Sequence, residues 1–299
     1  MVLPQSARLH RMLGYIGWPL ALLFLWDIAV TLAYVYLPHP WLDLPALPMS
    51  LLGSALALFL GFRNNNAYNR WWEARTLWGA MVNASRSYGR EVFHLIDKNG
   101  ESFDLRHDLV RRQIAYVNAL RCHLRRQPNE DEIRAFLCDN ELESLKGVTN
   151  VPNAILNETA ALLADARQQG WIDSMRSIQI ESVLVDMSNA QGGMERIKNT
   201  PLPREYGYYP TLFVHIFCIL LPIGLVDSLT IYTPLASTIV GFMLLAMDRI
   251  GSDLQDPFEN RAHDVPLTSL CRTIQIDLEQ LVGGGNATKP IRPVENVLW

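Results

Sequence analysis

Four long apolar runs interrupt an otherwise polar chain, and they come in two tight pairs. The first pair is MLGYIGWPLALLFLWDIAVTLAYVYL (12–37) and LPALPMSLLGSALALFLGF (44–62). The second pair is YYPTLFVHIFCILLPIGLVD (208–227) and YTPLASTIVGFMLLAM (232–247). A bilayer core of about 30 Å takes roughly 20 apolar residues as helix. The first and third runs reach that length. The second and fourth must borrow from their neighbours or continue as helix beyond the membrane. A buried core helix is the alternative for any single run, but the paired arrangement predicts four transmembrane helices. The first run is too long for a cleaved signal peptide and lacks a small-residue cleavage site.

The stretch between the pairs, 63–204, repeats its apolar residues at helical spacing almost throughout. EARTLWGAMVNASRSYGREVFHLI and DLRHDLVRRQIAYVNALRCHLRRQ (104–127) set apolar positions on one face and charges on the other. NEDEIRAFL, after Pro128, places Asn129 and Glu132 as an N-cap and its N3 partner. VPNAILNETAALLADARQQG predicts a helix from near Pro152 to Gly170, and an amphipathic stretch runs from Trp171 to about Lys198. DVPLTSLCRTIQIDLEQL (264–281) predicts a final helix ending at the glycine triplet 283–285, with 289–299 as an extended arm. No segment alternates with period two and no internal repeat is visible, so the expected fold is all-α. Nothing breaks the helix between the second apolar run and RNNNAYNRWWEAR. One long helix is therefore expected, its first half in lipid and its second half in water. Trp71 and Trp72 belong either to an interfacial aromatic belt or to packing in the cytoplasmic core.

Charge orients these elements. The 299 residues are 49% hydrophobic and 19% charged, with a net charge of −4, averages that would suit an ordinary globular protein. All 26 Lys and Arg residues, however, lie outside two windows, Met12 to Phe62 and Glu205 to Asp248. The connections at 38–43 and 228–231 carry none, whereas Arg8, Arg11 and 63–204 do. The positive-inside tendency then puts both termini and the middle region in the cytoplasm of a multi-pass inner (plasma) membrane protein. The domains read as 1–62 with helices 1–2, cytoplasmic 63–204, 205–250 with helices 3–4, and a cytoplasmic 251–299. Cys122, Cys138, Cys218 and Cys271 show no paired spacing and read as free thiols.

Three motifs resemble the bestrophin family, particularly its bacterial members. FLGFRNNNAYNRWWEARTLWG is similar to the signature at the end of the family's second helix. IKNTPLP (197–203) is similar to a motif before the third, and DLQDPFENRAHDVPL (253–267) to one after the fourth. They occur in the family's order, and the match covers about residues 10–280. The resemblance implies a homopentameric ion channel with its pore on the fivefold axis, whose partners are further copies of itself, membrane lipid and permeant monovalent ions. It places the neck of the pore at Ser54, Leu58 and Phe62. Their i, i+4, i+8 spacing independently puts them on one stripe of a helix. IQIESVLVDM (178–187) is similar to the helix of a second, cytoplasmic constriction and puts Ile178 at its ring, or Ile180 if the register shifts. The bacterial branch implies monovalent cation conduction, sodium included, and the net negative charge leans the same way. Chloride conduction, as in eukaryotic members, stands as the alternative.

The chain departs from the family at the calcium clasp of the eukaryotic members. Asp253, Asp256, Glu259 and Asp264 are interrupted by Asn260, Arg261 and His263, and calcium prefers six to eight oxygen ligands. These carboxylates read instead as ion-pair partners, with Asp264 capping the last helix, and no metal or cofactor is expected. Asp27, an acid inside the first run, reads as a structural hydrogen-bonding residue rather than part of an ion path. His215 in the third run reads as a hydrogen-bonded packing residue rather than a proton relay. His94, His107 and His123 are scattered over helix surfaces. No phosphate loop, dinucleotide fingerprint or metal-spaced His or Cys cluster suggests an enzyme, and no nucleic-acid partner is expected. The reading that competes with a channel is a membrane-anchored scaffold or receptor for a cytoplasmic partner. A secondary transporter ranks below it, because paired repeats are missing.

Overall fold

A computed structural model describes residues 9–37, 46–97, 101–283, 288–294 and 296–299. Ten α-helices are formed by these residues. In chain order they are α1 (Leu9–Tyr36), α2 (Ala46–Leu95), α3 (Glu101–Arg125), α4 (Glu130–Ile133) and α5 (Asp139–Ser144). Then come α6 (Val151–Gln168), α7 (Ser174–Asn199), α8 (Arg204–Leu229), α9 (Thr233–Leu254) and α10 (Leu267–Leu281). The all-α expectation holds among the described residues, where the one β-type pairing is an isolated bridge between Val294 and Val297. Two compact units result. Among the described residues one comprises Trp72–Thr200 and Pro257–Trp299, the other Leu9–Trp71 together with Pro201–Asp256.

In the second unit α1, α8 and α9 pack on one another. Two stretches there are long and apolar enough to cross a membrane, Ile16–Tyr36 and Glu205–Leu254. The latter, at 50 residues, exceeds one crossing and is broken at Thr230, whose φ of 47° and ψ of −111° end α8. A 3-10 turn, Thr230–Tyr232, leads into α9. The apolar start of α2, Ala46 to Phe62, is shorter than a full crossing, and residues 38–45 before it lie outside the described part. Small residues let these helices approach closely, as membrane helices require. A Cβ on Gly53 would stand 3.0 Å from the Phe217 ring, and one on Gly224 3.0 Å from Met49. Leu23, Leu56, Leu60, Phe217, Leu221 and Leu244 form the core around these contacts.

The first unit is built around α3, which packs against α4, α6, α7 and α10. Its residues from Leu109 to Leu124 are almost wholly buried, so the polar ones among them must find partners. Gln113 Nε2 donates to Ser85 Oγ at 2.9 Å and the Tyr116 hydroxyl to Gln191 Oε1 at 2.9 Å. Arg106 lies between the Phe93 and Phe103 rings, 5.0 and 5.1 Å from their centroids, and donates to the Phe93 carbonyl.

Several local expectations are corrected. Asn129 makes no side-chain cap, and the helix after it lasts only from Glu130 to Ile133. The box chemistry appears one helix later, where the Glu141 carboxylate accepts from the Cys138 N–H at 2.8 Å. The helix expected from Trp171 starts at Ser174, because Asp173 caps it by accepting from Met175 N and Arg176 N. The tail is not an extended arm: Val294 and Val297 exchange backbone hydrogen bonds, and the Trp299 carbonyl accepts from Ser269 N at the start of α10. Trp72 is exposed rather than packed in a core of this chain. Gly170 and Gly283, at φ values of 78° and 84°, do stop α6 and α10 as expected.

Candidate functional site

Helix α2 is uninterrupted for 50 residues, about 75 Å at 1.5 Å per residue. Its apolar segment has two unlike faces. Leu56 and Leu60 are buried against α8 and α9 side chains, whereas Leu58 is 62% and Phe62 61% exposed. Ser54 is exposed as well, and its hydroxyl donates to the Ser50 carbonyl within the helix at 2.9 Å. The expected neck residues therefore share a stripe that this chain leaves uncovered.

One residue beyond Phe62 the first cation in 51 positions appears, and it is turned inward. Arg63 is 3% exposed. Its Nη1 donates to Asp248 Oδ1 of α9, and its Nη2 to Ser252 Oγ at 2.8 Å. Thr211 Oγ1 of α8 also donates to Asp248 Oδ1, at 2.8 Å. Asn64 Nδ2 adds a bond to the Met247 carbonyl at 3.0 Å. Gly251 makes this approach possible, since a Cβ there would overlap the Asn64 side chain. Asp248, Thr211 and Ser252 were missed by sequence reasoning. The available signal was that Arg63 and Asp248 end the two windows without basic residues.

Ile178 lies in the first turns of α7 and is 65% exposed, while Ile180 is completely buried. The four acids of the expected clasp region are divided between the two units. Asp253 lies 3.6 Å from Arg249 Nε in one unit. In the other, Glu259 pairs with Lys198 and Asp264 Oδ2 accepts from Arg261 N at 3.0 Å. Asp264 therefore caps its own loop and not α10, which begins after Pro266 without a side-chain cap. Burial pushes the Asp264 carboxyl above the usual carboxylate range, partly offset by backbone N–H bonds. Among the described residues no three His, Cys, Asp or Glu side chains are grouped as a metal would need.

Asp27 is completely buried in the second unit and accepts from Ser237 Oγ at 3.0 Å and Thr238 Oγ1 at 2.9 Å. This joins α1 to α9 and agrees with a structural role. His215 bonds to the Thr211 carbonyl of its own helix at 2.7 Å but faces outward, so it does not pack in the core. The four cysteines are free thiols; Cys138 is exposed, the others buried. Burial pushes the Cys271 thiol up to about 12 and raises Cys122 as well.

The chain is helical among the described residues, with two segments long and apolar enough to cross a membrane and an uncovered apolar stripe on a 50-residue helix, features of the class of helical membrane proteins. Residues 7–280 match the family described as Bacterial/Fungal Bestrophin protein, and the chain belongs to the bestrophin family. It is 38% identical over 263 residues to the voltage-dependent anion channel-forming protein YneE of Salmonella typhi, covering 88% of this chain and 85% of that one. Against the protein of the same description in Escherichia coli K12 it is 35% identical over 288 residues, 94% and 93% of the two chains. The crystal structure of a bacterial bestrophin homologue from Klebsiella pneumoniae superposes with a TM-score of 0.85 at 30% identity, covering 90% of this chain and 98% of that one.

Proposed function

We propose that this chain is the subunit of a homopentameric channel that lets monovalent ions pass down their gradient through an axial pore. The observation that carries the reading is the two-faced start of α2: Leu58 and Phe62 exposed beside Leu56 and Leu60 buried. In water an exposed apolar stripe is costly, and in a helix already packed on one side it calls for a second partner. Five stripes meeting on an axis supply that partner and leave a dry constriction that gates by dewetting. Ser54 stands at its wider end. Ile178, exposed on α7, forms the second ring in the cytoplasmic part.

In this reading four helices cross the inner membrane: α1, the start of α2, α8 and α9. The turn at Thr230–Tyr232 supports two crossings within Glu205–Leu254. Residues 63–204 and both termini lie in the cytoplasm. The interruption of Asp253, Asp256, Glu259 and Asp264 by Asn260, Arg261 and His263, with Glu259 paired to Lys198 and Asp264 bonded to Arg261 N, supports gating without a calcium clasp. The permeant class we propose is monovalent cations, favoured by the net charge of −4 repeated in every subunit. Anions are the second reading, favoured by the description of the Salmonella and Escherichia relatives as anion channel-forming.

The test is to reconstitute the purified protein in planar bilayers under a tenfold salt gradient. Discrete currents reversing near the cation equilibrium potential support the whole reading. Reversal near the anion potential keeps the channel and replaces its ion. Silent bilayers, with the protein shown to be inserted, would favour a membrane-anchored scaffold instead.

A further inference from the structure

Apolar burial holds a helix against its neighbours but has no preferred direction, so it leaves the helix free to turn. The start of α2 is held in this way, with Leu56 and Leu60 packed among Phe217, Leu221 and Leu244. Phe62, on the uncovered side, is 61% exposed. On a helix about 10–12 Å across with its side chains, a turn of about 20° carries a side-chain tip roughly 2 Å sideways. At a constriction a shift of that size decides which ions pass.

Directional bonds begin at the next residue. Arg63 donates to the Asp248 carboxylate and the Ser252 hydroxyl, and Asn64 Nδ2 to the Met247 carbonyl. Arg70 Nε donates to the Gln255 carbonyl at 2.8 Å. Every acceptor lies on α9 or at its C-cap. Spread over about two turns of α2, these bonds fix its slide along α9 as well as its rotation. The Asp248 carboxylate is held in turn, because Thr211 Oγ1 of α8 donates to the same oxygen. Arg63 follows Phe62 by about 100° around the helix, so the bonds that hold Arg63 also aim Phe62.

The cluster is poor as a source of stability. Arg63 Nε and Asn64 Oδ1 are both buried without a hydrogen-bond partner among the described residues. Both stand over Gly251, on the side where any other residue would carry a Cβ. Bare buried polar atoms are unfavourable, and a buried ion pair often adds little over apolar side chains of similar volume. What apolar side chains would not supply is a fixed angle. We infer that Asp248 is a positioning residue of the neck: through Arg63 it aims the Phe62 ring and so sets the discrimination between ions by size. The inference rests on the channel reading and on the neck at Leu58 and Phe62.

Size discrimination is read from reversal potentials in planar bilayers, as the permeability of tetramethylammonium relative to sodium. If the pore passes anions, gluconate relative to chloride takes its place. The parent, Asp248→Asn, Phe62→Ala and the double variant are compared, with thermal melting recorded for each. Asn is nearly isosteric with Asp and keeps an acceptor for Thr211. Asp248→Asn should raise the ratio at least about twofold, because a ring that is no longer aimed excludes the larger ion less well. In the Phe62→Ala background the same substitution should add nothing, a pattern that a general loss of packing would not reproduce. An unchanged ratio in Asp248→Asn where Phe62→Ala alters it, or an equal change in both backgrounds, overturns the inference while the neck stands. A Phe62→Ala variant that selects like the parent overturns the neck and this inference with it, and silent bilayers remove both along with the channel. Should Asp248→Asn not assemble, Thr211→Val and Ser252→Ala each remove one hydrogen bond, keep the ion pair and carry the same comparison.

Discussion

Arg63 and Asp248, 185 residues apart in the chain, form a buried ion pair that ties α2 to α9 at the point where α2 stops being apolar. The pair is not isolated, since Thr211 shares the same Asp248 oxygen and Ser252 takes the second guanidinium nitrogen. A buried pair of this kind holds helices in one register more than it adds net stability. Removing one partner leaves the other charge uncompensated.

Asp248→Ala or Arg63→Ala should therefore destabilise the protein by about 3–5 kcal/mol. The double replacement Arg63→Met/Asp248→Leu should cost clearly less than the sum of the single ones. Thermal unfolding in one detergent at one protein concentration reads the difference. Additive losses would mean that the two side chains do not act as a pair. Gly251→Ala should be harmful for a separate reason, because its Cβ would push Asn64 off the Met247 carbonyl.

Neighbouring isoleucines on α7 give a second comparison. Ile180 is completely buried and Ile178 is 65% exposed within the chain. Ile180→Ala should lose about 2–5 kcal/mol, the usual loss for an aliphatic core residue. Ile178→Ala should leave the melting temperature nearly unchanged while raising conductance or relaxing discrimination by ion size. A large stability loss at Ile178 with unaltered permeation would show that it packs in an interface and does not line the axis.

Thiol chemistry reports topology and burial together. Cys138 is exposed, whereas burial holds Cys271 at about 12 and raises Cys122. At pH 8 a maleimide should label Cys138 alone in the native protein, since the thiolate is the reactive form. In cells an impermeant maleimide should miss Cys138 and reach an Ile231→Cys variant, placed at the exposed turn between α8 and α9. The opposite pattern would invert the proposed orientation.

Much of this was legible in the sequence because it depends on periodicity and on where charges are missing. The continuous α2, the α6 start near Pro152 and the glycine stops of α6 and α10 all follow from local chemistry. What escaped was set by long-range geometry. Asn129 has the residue type of a cap, yet only Ile133 is buried in the helix that follows, which leaves little to extend it. Asp264 precedes α10 closely enough to cap it, but the Arg261 N–H is nearer and takes its oxygen. The Asp248 network joins residues from 37 to 189 positions apart, separations that no spacing rule encodes. For Leu58 and Phe62 the spacing indicated a shared stripe, and only the three-dimensional packing showed that Leu56 and Leu60 take the covered side.

The most direct test of the account is the unitary conductance of the parent and of Leu58→Ala/Phe62→Ala, recorded side by side in planar bilayers. If these exposed side chains form the dry neck, removing them lowers the dehydration barrier to ion entry. Conductance should then rise severalfold, with the melting temperature little changed because neither side chain is part of the buried core. A double variant that folds, assembles and conducts like the parent would contradict the account.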